Sequence, residues 1–110
     1  MDDSYILSRG VQALIGDAIS APGQSINFCV NARETQTVVQ VWAAGGHSAL
    51  SGNIEASYDF DEAVPTWRVL AAFDLVATKV FTFDAVPGAI YRLNFSTVTD
   101  GPSDIYASAG

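Results

Sequence analysis

The chain has 110 residues, 49% hydrophobic and 15% charged. That composition excludes a disordered tail and suits one domain, residues 1–110, with a core of its own. Five Lys and Arg against twelve Asp and Glu give a formal charge of −7, so there is no basic face for nucleic acid or an anionic bilayer. Cys29 is the only cysteine, which excludes a scaffold stapled by an internal disulfide. The start, Met1-Asp2-Asp3-Ser4, is acidic where a secretory leader is basic, and no apolar run approaches the roughly 18 residues of a membrane span. Synthesis and folding in a reducing cytosol are therefore expected.

Residues 1–10 read either as an extended N-terminal arm or as a first edge strand, because Tyr5, Ile6 and Leu7 form an apolar patch without a partner in their own segment. Residues 11–19 fit two periods. Val11, Leu14, Ile15, Ala18 and Ile19 recur at helical spacing, while Gly10 and Gly16 weaken a helix and the 15–19 run also fits a strand. After the turn Ala21-Pro22-Gly23-Gln24, alternation of Ile26, Phe28 and Val30 with polar neighbours predicts a strand, closed by a turn at residues 31–34. Residues 37–43 (Thr-Val-Val-Gln-Val-Trp-Ala) are rich in β-branched and aromatic residues and predict another.

Gly45-Gly46-His47 and Ser51-Gly52-Asn53 read as breaks before a strand that places Ile54, Ala56 and Tyr58 on one face. Pro65 marks the next turn, and residues 69–76 are read as strand by their surroundings. Phe81 and Phe83 frame Thr82; beyond Pro87-Gly88, Tyr91, Leu93 and Phe95 alternate with Arg92, Asn94 and Ser96. Asp100-Gly101-Pro102 is the last turn. Short strands separated by Gly/Pro turns, without helices between them, predict an all-β fold: a single antiparallel β-sandwich of jelly-roll or immunoglobulin-like type.

Chemistry-bearing patterns are sparse. His47 is the only histidine and lies in a Gly-rich turn that would hold a catalytic base poorly; no Gly-x-Ser-x-Gly elbow accompanies it. One Cys and one His far apart make no zinc site, and no phosphate-binding Gly loop is present. Asp59, Asp61 and Glu62 are the candidate calcium ligands, weighed against an ordinary solvated loop. Trp42, Trp67, Tyr58, Tyr91, Tyr106 and the phenylalanines are either a sugar-stacking platform or core, and alternation with Ile and Leu favours core for most of them. No cofactor and no enzyme activity are expected.

From Val39 to Ala107 the order of features is Val-Gln-Val-Trp, a Gly-rich turn, Ser57-Tyr58-Asp59, Thr66-Trp67, Phe81-Thr82-Phe83, Pro87-Gly88, Tyr91-Arg92-Leu93-Asn94 and Thr99-Asp100-Gly101. This order resembles the small β-sandwich domains of tailed-phage virion proteins, in which Ser-x-Asp, Thr-Trp and Tyr-Arg recur. The resemblance covers about two-thirds of the chain, rests on structural motifs and carries over no functional residue. It implies a capsid decoration (cement) protein on the outer surface of a phage head, a homotrimer whose partner is the major capsid protein. A tail or neck adaptor, a fibre module and a carbohydrate-binding sandwich are the alternatives. Tyr5, Ile6 and Leu7 are the candidate capsid or subunit interface. Residues 60–65 depart from the family pattern, which often has Gly-Gly in that loop.

Overall fold

A computed structural model describes residues 5–31 and 37–110. Among these residues ten strands run in chain order: β1 (Tyr5–Leu7), β2 (Ala13–Ile19), β3 (Gly23–Gln24), β4 (Phe28–Val30), β5 (Thr37–Ala43), β6 (Ala49–Ser57), β7 (Arg68–Asp74), β8 (Phe81–Ala85), β9 (Ile90–Thr99) and β10 (Ser103–Ala109). One sheet has the order β1-β4-β9-β6-β7, with β3 also paired to β9; the other has the order β2-β10-β5-β8. All the strand pairs are antiparallel except β1 with β4, which is parallel. The expected antiparallel β-sandwich is what the chain forms. Its two four-strand sets, β2-β10-β5-β8 against β4-β9-β6-β7, have the jelly-roll order.

Alternation builds the core from both inner faces. Val39, Val41, Ile105 and Ala107 enter it from one sheet, and Phe28, Ile54, Ala56, Leu93 and Phe95 from the other. Phe83 on β8 reaches across to Phe28 and Tyr91, with ring centroids 6.4 and 5.2 Å apart, so an aromatic cluster joins the sheets. The phenolic oxygen of buried Tyr91 accepts a hydrogen bond from the Val86 N–H at 2.8 Å. Burial pushes the Tyr91 hydroxyl above its ordinary value near 10, an effect the Val86 amide only partly offsets. The native state therefore keeps a proton that the unfolded chain releases above about pH 10, and stability falls as pH rises from there towards the folded value. Tyr91→Phe is expected to lose about 1 kcal/mol at neutral pH. It should also lose this alkaline slope, read by urea unfolding at pH 7 and across pH 9.5–11.

Of the two periods that residues 11–19 fit, the strand is the one formed, over Ala13–Ile19, because pairing with β10 lets Ala13 and Ile15 point inward. Several expectations need correction. Ser51-Gly52-Asn53 is no turn: it lies inside nine-residue β6, between β9 and β7. Ile26 precedes its strand and is exposed, its N–H bonded to the Ile15 carbonyl. Tyr58 lies beyond the end of β6 and is exposed rather than sharing the buried face of Ile54 and Ala56. Trp42 and Trp67 are half-buried and outside the hydrophobic core. Trp42 follows inward-facing Val41, so the alternation turns it outward, where it stacks on Tyr106 at 6.1 Å. The expected turn at residues 31–34 lies, beyond Asn31, outside the described residues.

Candidate functional site

The N-terminal candidates form an edge strand. Tyr5, Ile6 and Leu7 pair in parallel with Phe28, Cys29 and Val30. Leu7 is 2% exposed and belongs to the core, whereas Tyr5 and Ile6 are 45% and 56% exposed. The alternative of a first edge strand thus describes residues 5–7; residues 1–4 lie outside the described residues. Only Tyr5 and Ile6 of the three present apolar surface for docking.

The acidic loop does not converge on a cation. Asp59 Oδ1 accepts bonds from the Ser57 hydroxyl and the Thr66 N–H, both at 2.9 Å. This closes residues 59–66 into a loop, while Asp61 and Glu62 remain exposed. Among the described residues no group of three His, Cys, Asp or Glu side chains is arranged to hold a metal. The Thr66 amide first, and the Ser57 hydroxyl second, hold the Asp59 carboxyl below its ordinary value. The loop closure is thus strongest above the ordinary carboxylate range near pH 3.9 and is lost as pH falls through the lowered value. Asp59→Asn is expected to raise the rate of proteolytic cleavage within residues 60–65 at neutral pH. Cleavage of the parent chain is expected to rise on acidification, and the substitution should remove that rise, measured with an acid-active protease.

His47 is held more firmly than its glycine-rich turn suggests. Its Nε2 lies 2.6 Å from the Ser103 Oγ, and a side chain at Gly101 would meet the ring at Cε1, 2.5 Å away. Gly101 also has φ +103°, so both conformation and space call for glycine. His47 Nδ1 is buried without a hydrogen-bond partner among the described residues. Ser103 is itself buried. Among the described residues nothing completes a triad on the Nδ1 side, and the pair acts as a clasp between the β5–β6 connection and the start of β10.

The most organised polar array lies on the outer face of the β4-β9-β6-β7 sheet, and the sequence reading missed it. Arg92 on β9 stands opposite Glu55 on β6, and its Nε donates to Glu55 Oε1 at 2.8 Å. The side chains are 23% and 10% exposed, so this is a shielded pair rather than a loose surface contact. Trp67 covers the Arg92 guanidinium with its ring centroid 4.0 Å from Cζ, and Phe60 packs edge-on to Trp67 at 6.0 Å. Asn94 Nδ2 donates to Glu55 Oε2 at 3.2 Å, and Gln24 Nε2 to Asn94 Oδ1 at 3.4 Å. The signal available beforehand was opposite charge at polar positions of two alternating segments. Cross-strand register, which joins residues 37 apart, was not available. Compared with protein-family models, curated proteins and solved structures, the chain matches none.

Proposed function

We propose that the chain is a virion structural protein: a decoration subunit that binds the outer surface of a tailed-phage head and stabilises the shell. The observation that carries the reading is the jelly-roll strand order, an architecture recurrent in viral capsid and lectin domains. The order of motifs from Val39 to Ala107 supports it from the sequence side. Tyr5 and Ile6 on the β1 edge supply apolar surface for the major capsid protein. A homotrimer on a local threefold would bind through three such edges at once, each weak alone and strong together. An acidic surface keeps free copies soluble and away from packaged DNA. In this reading the subunit is an assembly component without catalysis, made in the host cytoplasm and carried on the particle.

The test is copy number in purified virions, by quantitative mass spectrometry against the major capsid protein. A ratio within a few-fold of unity supports shell decoration. A ratio of a few per cent moves the subunit to the neck, tail or fibres, and absence from particles overturns the virion reading altogether.

A further inference from the structure

We infer that the outer face of the β4-β9-β6-β7 sheet binds a neutral carbohydrate, read by the amides of Gln24, Asn94 and Asn53 beside the Glu55–Arg92 pair. Register puts these groups in two adjacent rows. Gln24 lies opposite Asn94, Asn94 opposite Asn53, and Asn53 opposite Ala72. One step along, Arg92 lies opposite Glu55, and Glu55 opposite Val69. Their strand neighbours Gly52, Ile54, Leu93 and Phe95 are buried, so alternation turns the polar set outward.

Packing alone accounts for part of this array. The Glu55–Arg92 pair with Trp67 over it is a self-sufficient structural unit. It does not explain asparagine at positions 53 and 94, in the two central strands, where asparagine is disfavoured and a β-branched residue would serve the fold better. Nor does it use all their hydrogen-bonding capacity. Gln24 and Asn94 spend one N–H each on the contacts above, and the Asn53 amide has no partner among the described residues. The Arg92 Nη groups are likewise left over once Nε is on Glu55.

The occupant follows from the chemistry of what is left. One carboxylate and one guanidinium neutralise each other, so the array favours neither an anion nor a cation. Three amides side by side offer paired donors and acceptors, the complement of vicinal hydroxyls on a pyranose. The half-buried Trp67 ring lies over Arg92, in the row next to the amides, and adds apolar surface there for the C–H face of a sugar. The residues extend in rows across three neighbouring strands, which suits a run of sugar units over a small buried ligand. The inference is independent of the shell reading, because a free subunit and a particle-bound one carry the same residues.

The test is affinity electrophoresis of the full chain in native gels containing dextran, mixed-linkage β-glucan, xylan, galactomannan or, as a charged control, hyaluronan. Retardation by at least one neutral polysaccharide is expected, with a dissociation constant weakened at least tenfold in Asn53→Ala and in Gln24→Ala. Both substitutions shorten outward-facing polar side chains, Gln24 exposed and Asn53 half-buried, and unchanged thermal melts confirm the fold. Leu14→Ser, on the opposite sheet, should bind as the parent does. Retardation by none of the neutral polymers, by hyaluronan alone, or to the same degree in both variants overturns the inference. Particle copy number bears on the shell reading alone.

Discussion

Gly52→Ala is expected to lose roughly 3 kcal/mol or more, a large share of the ~5–15 kcal/mol that holds a domain of this kind together. Gly52 lies on β6 with Phe73 of β7 on one side and Phe95 of β9 on the other, and those rings meet edge to face 5.6 Å apart. A Cβ there would overlap the Asn94 carbonyl oxygen and sit 2.9 Å from its carbon and 3.0 Å from the Phe95 Cα. All three are backbone atoms of the neighbouring central strand, so relief requires moving β9, not rotating a side chain. The pairing is already irregular at this point: the register slips between Ser51 and Gly52, leaving Ser96 without a partner opposite it. The thermal midpoint should fall by roughly 12 °C or more, at about 4 °C per kcal/mol for a chain of this length. Gly46→Ala is the control, since nothing lies within 4 Å of its would-be Cβ, and its stability should stay within about 0.5 kcal/mol of the parent. Equal melting of the two variants would show that β6 and β9 do not approach as closely as described.

Gly52 also marks where sequence reasoning and fold part company. Ser-Gly-Asn is turn chemistry by composition. Here the same glycine is demanded by the close approach of the Asn94–Phe95 backbone, a constraint that exists only once β6 lies beside β9. Where burial follows strict alternation, as at Val39 and Val41 or at Tyr91, Leu93 and Phe95, the strand and its inward face were legible directly. Trp42 was legible in principle, because inward Val39 and Val41 fix its direction, but ring size argued for the core and misled. Trp67 precedes β7 and follows no period; its place over Arg92 depends on the Asp59–Thr66 bond that folds the loop back. The Glu55–Arg92 pair and the His47–Ser103 contact each join residues far apart in the chain. The residue types were visible beforehand, but their meeting is a property of strand order. The sandwich was therefore readable before the jelly-roll connectivity, and the connectivity decides which polar residues face one another.

Deleting residues 2–9 is expected to weaken the fold by roughly 2–4 kcal/mol, counting burial of one leucine side chain at ~1.5–3 kcal/mol and the lost strand pairing. Leu7 lies in the core beside Val30, its partner in register. Gly10 N–H bonds to the Ala109 carbonyl at 2.9 Å, next to the Arg9–Ala109 bridge, so the segment also ties the chain start to β10. Removing it would leave β4, three residues long, as the sheet edge and open Phe28 and Val30 to water. An arm that folds only on docking would behave differently: its deletion would leave the melt unchanged and reduce shell occupancy alone. The deletion by itself therefore mixes loss of fold with loss of docking. Tyr5→Ser with Ile6→Ser separates them, because both side chains are largely exposed and their replacement should shift stability by no more than about 1 kcal/mol. If this edge docks on the shell, the double variant folds normally and its occupancy on particles falls. If occupancy is unchanged in the double variant while the deletion melts early, β1 serves the fold and the shell contact lies on another face.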